Sequence, residues 1–471
     1  MENKGHDQLG ETRLGTTAQT GERIFQYPED VRGKWRTRRT QFYWFLIIVY
    51  LILPWIYIGG KQAIKLDILN REFTFITHTF YAYNAPMVLF LILGFIFVIG
   101  FITSIWGRVW CGWACPQTVF IDAIYRKIEE FAEGRPRQRK KLDAAPWSVE
   151  KVWRRSLKWT LFIIASLHIS HTFLGYFIGT RELFWMTTES PSEHLGIFIT
   201  MLSLSALFLL DFGWFREQFC IIACPYGRFQ SVMMDENSMA IVFDEKRGLP
   251  MREPGMKPEE HGDCIDCNAC VRACPTGIDI RHGVQLECIA CTNCIDACDD
   301  IMERTHRDLG LIRYDTQSNL EGKKQSIFTP RNIVYLISLV AVLAGLVISL
   351  RMSSGISATI LRGSKTPFTI ASKAHPNLIL NHFKITVDQS GKVINRNILI
   401  ELQSNKYKDQ IELKTPRNPY SLKKNHVRIN VFLKFDKEIL RNGSRVIKFK
   451  ITDLLTKEEI VKDVSIVGPI N

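Results

Sequence analysis

Five long segments without a charged side chain constrain this chain more than any other feature. Each runs for about 16–24 residues, and an apolar helix of about 20 residues crosses the roughly 30 Å hydrocarbon core of a bilayer. Soluble proteins rarely hold several such runs in one chain, so the pattern predicts a multi-pass protein embedded in a lipid bilayer. The predicted spans are Gln41–Gly60, Asn84–Gly107, Trp159–Thr180, Leu195–Leu210 and Asn332–Leu350.

The 60 lysines and arginines are unevenly distributed, and loops rich in them alternate with loops that hold few. Eight precede the first span and twelve lie between the second and third, but the loops after spans one and three hold only three and one. By the positive-inside rule, the amino terminus is expected in the cytoplasm of a bacterium, and the carboxyl-terminal tail in the periplasm. The formal charge of +13 is therefore assigned to topology in the inner membrane, and no nucleic-acid partner is expected.

The expected fold class is multi-domain: a five-helix membrane domain, an inserted α+β ferredoxin-like module and a carboxyl-terminal all-β domain. The predicted parts are a cytoplasmic tail (1–40), a four-helix transmembrane domain (41–213), a cytoplasmic region (214–330) with the ferredoxin module at 261–300, a fifth transmembrane helix (331–351) and a periplasmic β domain (352–471).

Several short segments of the tail alternate apolar and polar residues, which is typical of strands with one buried face. Turn signals separate them, including Ser390-Gly391 and Asn442-Gly443. Several strands over about a hundred residues favour an immunoglobulin-like sandwich, with a small barrel as the alternative. The predicted strands include Phe383–Val387, Asn397–Leu402, Val427–Leu433 and Val446–Ile451.

Eight of the twelve cysteines form two tandem runs with the spacing C-x2-C-x2-C-x3-C. Such spacing is typical of [4Fe–4S] ligands, and the fourth thiolate of each run usually serves the other cluster. Structural zinc is the alternative. The runs predict two clusters, one held by Cys264, Cys267, Cys270 and Cys298, and the other by Cys274, Cys288, Cys291 and Cys294.

Two features near these cysteines bear on the clusters. Asp299 stands where proline follows the first run; ligation by Cys298 is still expected, but the local backbone and the cluster potential are left open. Residues 261–300 also carry seven acidic side chains against two arginines. Negative charge near a cluster disfavours an added electron and predicts a lowered reduction potential, although a solvated surface accounts for most of this charge.

The other four cysteines form a CxxxCP motif that occurs twice, Cys111 with Cys115 and Cys220 with Cys224. Each copy follows an even-numbered span, so both are expected at the cytoplasmic membrane face. On one helix this spacing places both thiols on the same side, and the following proline tends to end the helix. Four thiols at one depth suit copper as Cu(I), a further iron–sulfur cluster or a dithiol/disulfide couple; buried packing residues are the alternative.

His168 and His171 lie three residues apart in the third predicted span. Ionisable residues at membrane depth are candidates for function. They are predicted either to bind copper or haem, or to form hydrogen bonds with a neighbouring helix.

The combination of two CxxxCP motifs after spans, a two-cluster module, a fifth span and a β-rich tail resembles the CcoG/FixG/RdxA family of cytochrome c oxidase accessory proteins. The resemblance covers the chain beyond its first 30 residues. It implies an oxidoreductase that reduces Cu(II) to Cu(I) during maturation of cbb3-type oxidase, with copper-delivery and oxidase-assembly proteins as partners. By the same resemblance Cys111, Cys115, Cys220 and Cys224 match the family's CxxxCP positions. Because thiolates prefer the softer Cu(I) ion, we expect these four cysteines to hold the copper and to be the catalytic residues.

Two other classes of function stay open. One is a quinol dehydrogenase subunit similar to membrane ferredoxins of the NapH type, although these generally lack such a tail. The other is a non-catalytic scaffold or redox sensor that uses the tail to recruit partners. The electron donor is expected in the cytoplasm, but no flavin or nucleotide fingerprint identifies it.

Overall fold

A computed structural model describes the chain in two compact units. The first unit comprises Met1–Lys65 with Ile92–Leu343, and the second comprises Leu66–Leu91 with Ala344–Asn471. The residues described are 24–68, 72–76, 78–81, 85–252, 256, 261–323, 326, 328–352, 356–363, 366–372, 375–389, 396–403, 410–422 and 426–469.

Helices dominate the first unit. Two of them continue into π-helical turns, α4 through Ile121–Tyr125 and α9 through Leu209–Phe215. The described helices are α1 (Lys34–Ile52), α2 (Ala85–Trp106), α3 (Val109–Trp113), α4 (Pro116–Phe120), α5 (Arg126–Glu133), α6 (Pro136–Ala144), α7 (Val149–Ile178), α8 (Thr180–Thr188), α9 (Leu195–Phe208), α10 (Pro225–Met233), α11 (Glu245–Gly248), α12 (Ala269–Ala273), α13 (Asn293–Arg304), α14 (Gln317–Leu320) and α15 (Pro330–Met352).

The strands form antiparallel sheets wherever their register is known. Most lie in the tail. The described strands are β1 (Tyr57–Ile58), β2 (Lys61–Gln62), β3 (Ile64–Asp67), β4 (Glu72–Phe75), β5 (His78–Tyr81), β6 (Ala240–Phe243), β7 (Ile312–Asp315), β8 (Ile356–Arg362), β9 (Thr369–Ser372), β10 (His375–Gln389), β11 (Arg396–Leu402), β12 (Ile411–Lys414), β13 (Tyr420–Leu422), β14 (His426–Asp436), β15 (Ser444–Asp453) and β16 (Glu459–Val467).

Four described helices are long and apolar enough to cross a membrane. They correspond to the second to fifth predicted spans. Asp211, which limits the fourth predicted run, lies inside a π-helical turn that carries that helix on to Phe215. The candidate spans are Leu89–Trp106, Val149–Ile178, Leu195–Phe215 and Pro330–Ser349.

The first predicted span, Gln41–Gly60, differs from the structure at both ends. Helix α1 starts earlier, at Lys34, so its first turns hold several basic residues. It ends at Ile52 in a 3-10 turn that contains Pro54, because proline cannot donate the hydrogen bond that continues a helix. Helix α1 is not among the four helices that satisfy the length and hydropathy criteria for a span.

The tail of the second unit is a two-sheet sandwich. One sheet has the order β12-β14-β10-β8 with β9 beside β10, and the other has the order β13-β11-β15-β16. The four predicted strands lie in β10, β11, β14 and β15, and the apolar residues of both sheets share one core. Asn442 and Gly443 both have positive φ, as a two-residue type I′ hairpin requires. The predicted turn at Ser390-Gly391 lies outside the described residues.

Candidate metal centres

The first predicted cysteine set surrounds one cavity in the first unit. Cys264 and Cys267 come from a loop, Cys270 from the first turn of α12, and Cys298 from α13. All four line a single cavity whose other walls are mostly apolar, including Phe243. Burial raises the pKa of Cys298, and the nearby thiols of the other three cysteines raise it further. The structure thus brings together the four cysteines that the spacing rule groups.

The second predicted set is also assembled. Burial raises the pKa of Cys288 to about 12, and Cys291 and Cys274 contribute to that rise. Cys294 has a pKa raised chiefly by burial, then by Cys291, Cys288 and Cys274. Cys274, which belongs to the first run, therefore lies with the second set, as the exchange of fourth ligands between runs predicts.

The two cysteine loops repeat the same backbone conformation. Positive φ angles occur at Asp266 and Asn268 in the first loop, and at Ala290 and Thr292 at the equivalent positions of the second. A left-handed conformation is uncommon for residues other than glycine, and costly for a β-branched one. Both loops therefore hold a strained geometry that turns successive thiols toward one site.

The spacing of the sulfur atoms does not fit a single metal ion. Four thiolates around one zinc ion at about 2.3 Å lie about 3.8 Å from one another. Within the described part of the chain, the group of three potential ligands found within 4.8 Å of one another is Glu189, Glu193 and His194, and it contains no cysteine. Among the described residues, the cysteine sulfur atoms are therefore not spaced as the ligands of one zinc ion.

The local backbone explains why position 299 holds aspartate and not proline. In the first run, Pro275 follows a helix that ends at Ala273. In the second run, α13 continues through Cys298 to Arg304, and a proline at position 299 would interrupt it. The Asp299 carboxylate instead accepts a hydrogen bond of 2.9 Å from the backbone N–H of Gly310.

Several of the acidic side chains near the cysteines form ion pairs, which their count along the chain does not show. Arg281 binds both Asp266 and Asp279, and Arg247 binds Asp263 at 2.5 Å. Burial raises the pKa of Cys264, and the Arg281 guanidinium opposes that rise. The negative charge therefore has less effect on a cluster than the count suggests, because partners such as Arg247 lie outside residues 261–300.

The CxxxCP motif does not form one continuous helix. Cys111 lies in the short helix α3, whereas Cys115 is extended and Pro116 begins α4. The second copy repeats this arrangement: Cys220 lies in a π-helical turn, and Cys224 directly precedes α10. The proline thus starts a new helix, where its missing N–H costs nothing.

The four CxxxCP thiols share one partly buried site. Burial raises the pKa of Cys111 to about 12, with contributions from Cys115 and Cys224. Burial likewise raises the pKa of Cys220, with contributions from Cys115 and Cys111. Two motifs that lie more than a hundred residues apart along the chain therefore meet, as the sequence predicted.

Gln230 adds a polar group to this thiol site. Its Oε1 atom accepts a hydrogen bond of 3.4 Å from the Sγ atom of Cys111. The side chain is fully buried and also lies against the Tyr226 hydroxyl. Gln230 is thus a buried polar group beside the CxxxCP thiols.

Arg108 connects the thiol site to the second cysteine set. Its guanidinium donates hydrogen bonds to the carbonyl oxygens of Leu286 and Cys288 in the cluster loop, and to that of Gly227 in α10. Burial raises the pKa of both Cys111 and Cys288, and the Arg108 charge opposes the rise at each. One buried cation therefore acts on both groups of thiols.

The backbone also brings the two sites together. A Cβ atom at Gly112 would lie 2.7 Å from the carbonyl oxygen of Ile289, so only glycine permits this close approach of α3 to the cluster loop. Cys220 and Cys291 line the same small cavity. The CxxxCP site and the second cysteine set are therefore direct neighbours.

Helix α1 is anchored to the cysteine module. The Asp296 carboxylate in α13 accepts hydrogen bonds from the backbone N–H groups of Trp35 (3.2 Å) and Arg36 (2.6 Å). A carboxylate at a helix amino terminus satisfies free N–H groups and favours the helix dipole. The buried Arg39 donates to Asn293 at 2.8 Å.

The structure does not bring His168 and His171 to these sites. Both lie in α7, where His168 is exposed and His171 half-buried. Neither belongs to the group of three potential metal ligands found among the described residues. Their binding of copper or haem therefore stays a prediction without a third ligand.

Sequence reasoning missed Arg108, Gln230 and Arg39. Arg108 could have been identified from its position between the second span and the first CxxxCP motif, because a charged side chain at the depth of the membrane needs a partner. No spacing rule identifies Gln230, which reaches Cys111 only through the fold.

Two family models match the regions that hold these sites. A 4Fe-4S dicluster domain matches residues 215–317. A 4Fe-4S binding domain matches residues 87–139, which include Cys111 and Cys115. The matches support two iron–sulfur clusters in this chain.

Curated relatives match the chain more broadly. Nitrogen fixation protein FixG of Rhizobium meliloti is 36% identical over 62% of this chain and 57% of its own length. Protein RdxB of Cereibacter sphaeroides is 37% identical over 66% of this chain and 68% of its own length. Protein RdxA of the same organism is 38% identical over 61% of this chain and 62% of its own. The match thus spans less than two thirds of FixG and RdxA.

One solved structure also matches. A FixG-related protein from Vibrio parahaemolyticus aligns with 25% of this chain and 99% of its own, at 9% identity and a TM-score of 0.21. That score is too low to assign a shared fold.

Proposed function

This chain belongs to the FixG/RdxA family of membrane-associated iron–sulfur electron-transfer proteins, and we propose that it reduces Cu(II) to Cu(I) during assembly of cbb3-type cytochrome c oxidase. The observation that carries the proposal is the meeting of four CxxxCP thiols in one site beside the second cysteine set. Copper is the substrate, and copper-delivery and oxidase-assembly proteins are the proposed partners.

We assign the two cysteine sets as ligands of the two clusters. Cys264, Cys267, Cys270 and Cys298 would hold one, and Cys274, Cys288, Cys291 and Cys294 the other. When bound, such clusters supply single electrons. The strained loops, the apolar cavity around the first set and the buried arginines are what this chain itself provides for them.

The thiol site binds the substrate and favours its reduced form. Reduction of Cu(II) takes one electron and gives Cu(I), which is the softer ion and the better match for thiolate. Cys111, Cys115, Cys220 and Cys224 therefore retain the product more strongly than the reactant. Arg108 offsets the negative charge of the thiolates, and the Gln230 Oε1 atom accepts a hydrogen bond from the Cys111 thiol.

The proposed topology follows the charge pattern. Helix α1 is proposed as a fifth span in addition to the four candidates, with the amino terminus and region 214–330 in the cytoplasm. Residues 352–471 are proposed as a periplasmic domain with an immunoglobulin-like arrangement of its two sheets. This topology places the cysteine sites at the cytoplasmic face of the bacterial inner membrane.

The test is Cu(II) reduction by anaerobically purified protein. The protein is reduced with dithionite, desalted and mixed with Cu(II), and Cu(I) is measured with a chelator. Cys111→Ser and Cys224→Ser are expected to lose copper binding and at least ten-fold in rate, while Ile222→Ala, an exposed residue within the second motif, is expected to match the wild type. Unchanged binding and reduction in both serine variants, with about eight irons still present, would sink the proposal.

A third cluster in the thiol site is the competing assignment. The 4Fe-4S binding domain match over residues 87–139 favours it, as does the absence, within the described part of the chain, of any three cysteine sulfurs inside 4.8 Å. Iron and copper analysis separates the two: about eight irons with bound copper supports copper, and about twelve irons supports a third cluster.

A further inference from the structure

A cavity of about 170 Å³ lies beside Cys288 in the first unit. Its walls include Arg108, Asp235, Val284, Gln285 and Leu286, and we refer to it as the Cys288 pocket. It is smaller than the roughly 300–1,000 Å³ sites of drug-sized ligands. The pocket therefore has room for a ring system and not for a whole dinucleotide.

The pocket lies where two candidate spans end. Arg108 follows the last residue of α2, Trp106, by two positions. On another wall, Asp235 forms an ion pair of 2.8 Å with Arg331, the second residue of α15. Both helices are apolar enough to cross a membrane. A molecule dissolved in the bilayer thus has a short route to this cavity.

The lining combines apolar surface with polar groups. Val284 and Leu286 line the pocket and are 50% and 65% exposed. The surface that lines the pocket is mostly apolar. Arg108, Asp235 and Gln285 supply a cation, a carboxylate and an amide. An apolar slot with a few polar groups suits a flat ring that carries hydroxyl or carbonyl oxygens.

The electrostatics of Cys288 favour accepting an electron here. The buried Arg108 guanidinium touches the Cys288 carbonyl, and positive charge near a cluster raises its reduction potential. The pairing of Asp266, Asp279 and Asp263 with arginines removes much of the opposing charge. An electron donor of moderate reduction potential is then sufficient to reduce the cluster at Cys288.

We propose that the Cys288 pocket binds the ring of a membrane quinol, and that the quinol is the electron donor of this protein. The inference rests on the proposed function, to which it adds the source of electrons. The quinol loses two electrons and two protons and becomes a quinone. Its electrons would pass one at a time to the cluster that Cys288 helps to hold, and solvent at the pocket takes the protons.

The test uses full-length protein in lipid nanodiscs without oxygen, with decylubiquinol as the probe. Val284→Trp fills the pocket, and Leu309→Trp is the matched control, because Leu309 is similarly exposed in the same module and does not line the pocket. Wild type and Leu309→Trp are expected to accept electrons, measured by the cluster EPR signal, and Val284→Trp at least ten-fold more slowly. Dithionite is expected to reduce all three equally.

A second measurement does not depend on electron transfer. An azido-quinone photolabel is expected to modify the peptide containing Val284 and Leu286 in the wild type, and excess decylubiquinone is expected to prevent this. Equal reduction of Val284→Trp and wild type by quinol, or no protected labelling of this peptide, would overturn the inference. If quinol does not reduce the clusters but the dithionite-reduced protein still reduces Cu(II), the inference is overturned and the proposed function is not.

Discussion

At the scale of single residues, Arg108 donates hydrogen bonds to the cluster loop and to α10, and its charge acts on both Cys111 and Cys288. Arg108→Gln removes a buried positive charge, so we expect the cluster beside Cys288 to have a lower reduction potential, by on the order of 60 mV or about 1.4 kcal/mol for one electron. EPR-monitored redox titration measures this shift. Arg304→Gln is the control, since Arg304 is exposed and pairs within α13; equal potentials in both variants would contradict the expectation.

Asp122 holds three arginines at the junction of α1 with α4 and α5. Burial alone would raise the pKa of Asp122, but Arg39, Arg36 and Arg126 outweigh it and hold the pKa at about 2. Because this pKa lies below that of an unfolded aspartate, the carboxylate contributes stability above pH ~4 and loses it as the pH falls toward 2.

Removal of the Asp122 charge should therefore lower the free energy of unfolding strongly. Asp122→Asn removes the carboxylate that pairs with the buried Arg39 guanidinium, which costs about 3–5 kcal/mol of unfolding free energy. Glu130→Gln breaks only an exposed pair with Lys127 and should change stability by less than about 1 kcal/mol. Thermal unfolding in detergent at neutral pH compares the two; similar midpoints would show that the Asp122 network is not important for stability.

The sequence predicts best those residues whose spacing along the chain indicates a metal site. The eight ferredoxin cysteines group in space as the run predicts, including the crossed Cys274 and Cys298. Arg108, Arg39 and Gln230 escaped prediction because their partners are distant in sequence and no local period marks them. The pairing of the acidic residues could not be predicted from their count, since Arg247 pairs with Asp263 from outside the counted segment.

At the scale of elements, the two CxxxCP regions are copies of one arrangement. In each, the first cysteine comes five residues after the helical span ends, at Trp106 or Phe215. A residue with positive φ follows each span directly, Gly107 in one copy and Arg216 in the other. The sequence showed the repeated motif, but it did not show that the proline begins a helix, because position N1 and a helix end both favour proline.

Gly112 tests the contact between α3 and the cluster loop. Gly112→Ala places a methyl group 2.7 Å from the Ile289 carbonyl oxygen, so we expect the thiol site to move away and Cu(II) reduction to fall at least ten-fold. Gly196→Ala is the control, since a Cβ atom there meets nothing within 4 Å. The rate from dithionite-reduced protein is measured at matched iron content, and equal rates in both variants would refute the role of this contact.

At the scale of the whole molecule, all twelve cysteines belong to the first unit, and the tail sandwich has its own core. A chain that stops after Met352 is therefore expected to retain about eight irons and the full rate of dithionite-driven Cu(II) reduction, and to fail in oxidase maturation in cells. Loss of the clusters on truncation would show that the tail supports the metal sites. The order of spans and strands was predictable from hydropathy and alternation, whereas the start of α1 was not, because its basic first turn lacks an apolar pattern.

The cap that Asp296 provides to α1 sets an order of events during synthesis. The carboxylate and the Arg36 N–H that it accepts from are 260 residues apart. At about 5–20 residues per second, roughly 13–50 s pass between the appearance of the helix start and that of its cap on the ribosome. Helix α1 therefore lacks this cap until α13 has been synthesised. We expect mutations in α13 to lower the yield of newly made protein.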